Sequence, residues 1–303
     1  MVAEFYLIAE SFAQNHNSTG AEIEAKTKSL ANDFVYIRQY KDTNKLFVHP
    51  DIYNVNFINN VSISDLLFND EVANKNLDRD VRVFLKRIVL ESETTSHTTQ
   101  EVKDVLLPEH NADLCHGLIS FNLLDDVNPE FQVVYHLKGW LEFRRHYLKL
   151  YPKNQIFFID ECVKYFPDLY FHERNKTTSG AILHNCPKKI VYHLTALNDK
   201  FKSSQQVGLN RTQVLERFSI TASLDETASL EGNANRKPAL MFKFINKKNE
   251  AEEVCCEPHL KLCRNDLYPG DNSYSNDRRI YFHEGKENIH EGRILIGHIG
   301  DHL

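Results

Sequence analysis

The sequence predicts an α+β chain, largely helical at first and closing in an antiparallel sheet of about four strands. Three observations predict it. Through most of the first 235 residues, apolar side chains recur every three to four positions, the period of an amphipathic helix. After about residue 235 the period falls to two, as in half-buried strands. Polar stretches of hairpin length, such as "NKKNEAE", separate those last segments. Segregated helices and strands favour α+β over alternating α/β. The expected divisions are a mainly helical region with a few short strands over 1–130, a helical middle over 131–235, and the sheet over 236–303 packed on the middle helices.

The elements follow in order. "AEIEAKTKSLAND" is rich in helix formers with apolar residues at helical spacing. "FVYIRQY" and "NKLFVHP" have the composition of short strands. "DRDVRVFLKRIVLES" places Val81, Phe84, Leu85, Ile88 and Val89 on one stripe. "TTQEVKDVLLPEH" opens with Thr98 or Thr99 as N-cap, has Glu101 nearby and stops at Pro108. "HGLISFNLL" is an apolar stretch of either type. "YHLKGWLEFRRHYLKLYP", "IFFIDECVKYFP" and "CPKKIVYHLTALNDKF" read as helices, and "NRTQVLERFSI" as a short one capped by Asn210. "KPALMFKFINKKNE", "EEVCCEPHLKLC", "RRIYFHEG" and "GRILIGHIG" read as the four strands of a meander. In "GRILIGHIG", Ile294 and Ile296 share a face with His298, and Leu295 and Ile299 occupy the other. Apolar residues on both faces mark a buried central strand.

Composition bounds the function. At 303 residues the chain can hold one large domain or a few smaller ones, and 42% hydrophobic residues suit a packed core. A formal charge of −6 gives no global reason to bind nucleic acid, so any basic surface is local. No apolar run reaches the roughly 18 residues of a membrane span. The start, "MVAEFYLIAESF", lacks a basic leader segment, so no signal peptide and no membrane partner are expected. Six scattered or crowded cysteines make no disulfide framework, which points to reduced thiols in a cytoplasm.

The last sheet offers one polar face. In "RRIYFHEG", Ile280 and Phe282 oppose Arg279, Tyr281 and His283. In "EEVCCEPHLKLC", Val254, Cys256, Leu260 and Leu262 oppose Glu257, His259 and Lys261. With the apolar sets inward, His283, Arg279, Tyr281, His259 and Lys261 form one surface with Glu257 nearby. Pro258 marks its strand as an edge or a bulge. A site that cleaves RNA without metal needs this kit: imidazoles near neutral pKa to move protons, and cations to hold the charged phosphorane. The competing reading is the wet face of an ordinary antiparallel sheet.

These residues carry a resemblance. The order "EPHLKL", a loop, "RRIYFHEG", then "RILIGHIGDHL" resembles the closing half of the RelE/HigB/ParE-type toxin fold over roughly residues 237–303. That resemblance implies an antiparallel sheet with basic and aromatic residues on its open face, endoribonuclease activity without metal, and RNA, the ribosome or an antitoxin as partner. The layout, with "FPDLYFHERN" in the middle, is also similar to large uncharacterised bacterial proteins of phage-defence gene neighbourhoods. This implies an intracellular role in antiviral defence, with a non-enzymatic binding or regulatory protein as the alternative.

Other constellations are weaker. Cys255, Cys256, His259 and Cys263 with His298 and His302 suggest zinc, yet four residues of strand span roughly 13 Å and no C-x-x-C pair is present, so no metal or cofactor is expected. His172, Glu173, Arg174 and Lys176 form either a second site piece or a loop in which Thr177 or Thr178 caps the next helix. Lys138, Arg144, Arg145 and Lys149 form the most basic helix, with a solvated face as the simpler account. No P-loop, GxGxxG or GxSxG motif occurs.

Overall fold

The computed structural model describes residues 1–14, 18–133, 139–262 and 278–303. Lys138, Cys263 and the loop "RNDLYPGDNSYSND" lie outside the described residues. The chain divides into two units, Met1–Tyr147 and Leu148–Leu303. Among the described residues, no helix is long and apolar enough to cross a membrane.

The first unit contains β1 (Val2–Leu7), β2 (Asn44–Val48), β3 (Asn56–Ile58), β4 (Val61–Ser62), β5 (Glu93–Thr94), β6 (Leu114–Ile119) and β7 (Gln132–Val133). Five of these form one sheet in the order β5-β2-β1-β6-β7, and every pairing in it is parallel. β3 and β4 form a separate hairpin. The expected α+β class holds for the chain, but within this unit strands and helices alternate around a parallel sheet and are not separated along the sequence. β1 is central, and Ala3, Phe5, Tyr6 and Leu7 are all buried. Both faces of a parallel strand are covered, which gives a continuous apolar run without alternation.

"FVYIRQ" is helical, not the expected strand. It completes the Gly20–Gln39 helix, whose buried Ile23, Leu30, Phe34 and Ile37 share one stripe. Aromatic and β-branched composition suggested a strand, but packing of that stripe overrides it. The Arg79–Leu90 helix buries all five expected residues, Val81, Phe84, Leu85, Ile88 and Val89. In the Gly139–Leu150 helix two members of the basic stripe, Arg144 and Arg145, are interior where a surface was expected, while Lys149 is half-buried. Arg144 is fully buried, donates to Thr43 O at 2.8 Å and Met1 O at 3.2 Å, and lies beneath the Trp140 ring; Arg145 is also buried. Gly117 of β6 is needed for this helix to approach, since a Cβ there would meet the Phe143 ring at 2.5 Å.

The second unit contains β8 (Leu169–Phe171), β9 (Met241–Ile245), β10 (Ala251–Cys255), β11 (His259–Lys261), β12 (Arg278–His283) and β13 (Ile294–Asp301). Its four-stranded sheet has the order β11-β12-β13-β8. The first two pairings are antiparallel and β13 with β8 is parallel, so the sheet is mixed and not the purely antiparallel meander expected. β9 and β10 form a hairpin of their own. "EEVCCEPHLKLC" is thus two strands broken around Pro258: β10 pairs with β9, and β11 is an edge strand beside β12, as a proline without an N–H allows. β13 is the buried central strand, with all of Ile294–Gly300 buried.

Candidate functional site

The register of the mixed sheet decides which expected residues meet. β11 runs antiparallel to β12 with His259 opposite Tyr281 and Lys261 opposite Arg279. Across β13, Tyr281 faces His298, and a register shift then sets Phe282 opposite Ile296, skipping Gly297. That bulge inverts the side-chain parity of β13. His298 therefore does not share a face with Ile294 and Ile296. It lies with Tyr281, ring centroids 6.2 Å apart.

The face that holds Tyr281 is covered. Leu240, Phe242, Phe244, Val254 and Cys256 of the β9–β10 region pack over Tyr281 and Leu295 as one cluster. On the opposite face, Phe282 meets Phe201 at 5.3 Å, and Phe201 meets Phe218 at 5.1 Å. Tyr281 is 0% exposed, His259 5% and Arg279 7%, so these three lie inside the unit.

Arg279, Tyr281 and His259 are brought together; His283 and Lys261 have other company. Lys261 Nζ is 3.3 Å from Glu226. His283 Nδ1 accepts the Gly285 N–H at 3.0 Å, and its Nε2 is 3.8 Å from Glu284. Arg211 joins that end of β12 to Glu284 at 2.6 Å and to Glu257 at 3.5 Å, and Lys237 also pairs with Glu257 at 3.1 Å. Burial lowers the pKa of His283, so its imidazole is neutral near pH 7.

Four further residues complete the surroundings of Tyr281. His259 Nε2 shares a hydrogen bond with Ser229 Oγ at 3.1 Å. The His302 ring is parallel to Tyr281 at 6.3 Å, with Glu231 Oε2 at 3.2 Å and Arg236 Nη1 at 2.7 Å from it. Ser229 and Glu231 come from an irregular segment and Arg236 from the short 3-10 helix Ala234–Leu240, so only the tertiary fold delivers them. Burial pushes both His259 and His298 down to about 4. Among the described residues, no hydrogen bond completes Arg279 Nε or His298 Nδ1. The Tyr281 hydroxyl lies beside the Leu303 main chain without closing a full bond.

Two other sequence candidates are absorbed by structure. Arg174 stacks over the Phe242 ring at 5.3 Å, and Lys176 Nζ sits 3.0 Å from both Asp160 and Glu173. Neither Thr177 nor Thr178 caps a helix; they lie within the Asn175–Thr178 turn of helix. Among the described residues, no three His, Cys, Asp or Glu side chains converge as a metal ion would need.

A surface site appears where the sequence gave least reason to look. Tyr170 of β8 and His290 stack face to face, with centroids 3.6 Å apart and planes 19° apart. His290 and Glu291 both have positive φ, 43° and 58°, in the turn before β13. They line a cavity of about 410 Å³ with Lys247 and Arg293. Burial and the neighbouring Arg293 lower the His290 pKa, leaving a neutral ring. The result is an aromatic platform in a cavity that also holds two cations, Lys247 and Arg293, and one carboxylate, Glu291. No family model, curated protein or solved structure matches this chain.

Proposed function

We propose that the chain is a binding protein for single-stranded RNA that holds its ligand on the Tyr170–His290 platform and does not cleave it. The stacked ring pair, in one cavity with Lys247 and Arg293, carries this reading. A base stacks on the exposed imidazole, and the two cations meet the flanking phosphates, the combination by which single strands are held without sequence readout. The burial of Tyr281, Arg279 and His259 supports binding over chemistry on the strand face, since a polymer cannot reach a side chain that is 0% exposed. A cytoplasmic location and a role in bacterial antiviral defence, alongside the ribosome or an antitoxin-like protein, belong to the same proposal. Thiols outside any disulfide at Cys115, Cys255 and Cys256 suit a reducing compartment.

Fluorescence anisotropy with a short labelled oligoribonucleotide tests it. One stacked base is worth about 1–3 kcal/mol, so Tyr170→Ala or His290→Ala weakens binding roughly 5- to 150-fold. Lys247→Glu weakens binding and lowers the salt slope by about one phosphate contact. RNA binding at wild-type strength in all three variants ends the proposal.

A metal-independent ribonuclease, with His283, Arg279, Tyr281, His259 and Lys261 as its residues, is the second reading. It is favoured by two buried polar atoms without a hydrogen-bond partner among the described residues, Arg279 Nε and His298 Nδ1, which resemble a site waiting for a ligand. RNA-cleavage mapping in an expressing host separates the two. This reading predicts that Arg279→Ala and His283→Ala abolish cleavage in folded protein, and the binding proposal predicts no cleavage in the wild type.

A further inference from the structure

The sheet of the first unit changes direction of growth between β1 and β6. From β1 the chain builds outward through β2 to β5, then returns to the other side of β1 for β6 and β7. At such a reversal the segments leaving neighbouring strands diverge, and a crevice opens beyond their carboxyl ends. A cavity of about 590 Å³ lies on the β2 side of that reversal, between the segments that follow β1 and β2, within the size range of small-molecule sites. Glu10 and Gln14, after β1, form one wall, and Asn56, Asn59 and Asn60 of the β3–β4 hairpin form another.

The lining selects the ligand. Glu10 is its sole charged side chain among the described residues, and it is paired with Lys103. Ala9 and Glu10 of the lining belong to a single four-residue turn of helix, Ala9–Phe12, too short to carry a helix-end field. The helix that follows, from Gly20, is closed by its own capping box: Glu22 accepts the Thr19 N–H at 2.8 Å, and Thr19 Oγ1 accepts the Glu22 N–H at 3.2 Å. That end of the helix is therefore occupied by a carboxylate, and the segment Ile8–Thr19 has no glycine with which to cradle phosphate. An anionic ligand is disfavoured on both counts.

The polar side chains that remain are Ser18 and the amides of Gln14, Asn56, Asn59 and Asn60, of which Asn59 already donates to Asn76 Oδ1 at 3.1 Å. An amide sets a donor beside an acceptor, the complement of a nucleobase edge. Gln14 donates its Nε2 to Phe12 O at 3.0 Å, while its Oε1 is buried without a partner among the described residues. The side chains of Asn56 and Asn60 make no hydrogen bond among the described residues. Asn59 and Asn60 have φ of 49° and 58°. Glycine would suit both positions of such a two-residue turn better, yet asparagine keeps an amide at each. Ile23, Val55 and Ile58 supply apolar surface to the same cavity, as the faces of a flat ring require.

We propose that this cavity binds an uncharged nucleoside, a base with its ribose and no phosphate. Titration calorimetry of the full chain with the four ribonucleosides and their 5′-monophosphates tests it. One nucleoside is expected to saturate one site, and its monophosphate to bind at least tenfold more weakly. Asn60→Gly removes one amide and suits the turn, so it should weaken the nucleoside roughly five- to tenfold while the thermal midpoint holds or rises. Three results would overturn the proposal: no nucleoside saturating, a monophosphate binding as tightly as its nucleoside, or wild-type affinity in folded Asn60→Gly.

Discussion

Tyr281 shows how far one residue's surroundings can depart from its strand pattern. Alternation correctly joins it to Arg279 and, through the facing strand, to His259, because strand parity and pairing are both readable from residue types. Burial is not readable that way. Alternation says that polar residues share a face; it cannot say that a neighbouring hairpin will cover it. The cost is a buried hydroxyl without a full hydrogen bond, and Tyr281→Phe should leave the unit as stable or about 1 kcal/mol more stable in urea titration. A loss of stability instead would mean that the hydroxyl is satisfied. Asp33 makes a comparable case in the first unit. It is 1% exposed and accepts the Trp140 N–H at 2.8 Å, and burial pushes its carboxyl up to about 7. Because the folded pKa is raised, its favourable contribution is complete below about 4 and is lost as pH rises through 7. Asn at this position keeps the acceptor and removes the charge. Asp33→Asn should therefore melt higher than the wild type at pH 8, and the difference should close toward pH 4.

At the scale of elements, two small features divide the C-terminal segment. Pro258 separates β10 from β11, and Gly297 lets β9 settle on the sheet. A Cβ on Gly297 would lie 2.7 Å from the Phe242 ring and 2.8 Å from Cys256 Sγ. Gly297→Ala should thus lift the hairpin and cost about 1–3 kcal/mol, the usual range for overpacking, with Tyr281 becoming reachable by solvent in hydrogen-exchange or fluorescence measurements. An unchanged denaturation midpoint would show that the hairpin does not depend on that close approach. Pro258 was legible in the sequence as a strand edge. Gly297 was not, because a bulge leaves no mark until two strands are paired, and His298 was placed on the wrong face for that reason. Caps were read more reliably: Thr98 with Glu101 and Asn210 with Gln213 form the reciprocal bonds that their spacing suggests.

At the scale of the whole molecule, content was legible and connectivity was not. Helical stripes such as Val81–Val89 could be read because they are long and periodic. The parallel sheet of the first unit could not. Its edge strands β5 and β7 span two residues each, and a short apolar run such as β6 has no period to separate strand from helix. The Tyr170–His290 platform was hidden for a related reason, since its partners meet only when β8 aligns with β13.

That alignment also bears on how the second unit is made. β13 lies between β12 and β8, yet it follows both in the chain. During synthesis β8 emerges early and must wait, its edge unpaired, until the sequence of β13 has been translated. Until then no arrangement of the earlier residues can complete the sheet, and the hairpin β9–β10 has no finished surface to cover. Folding of this unit is thereby tied to completion of β13, and a nascent chain halted before Ile294 would carry an open strand edge, the feature most prone to pairing with another molecule.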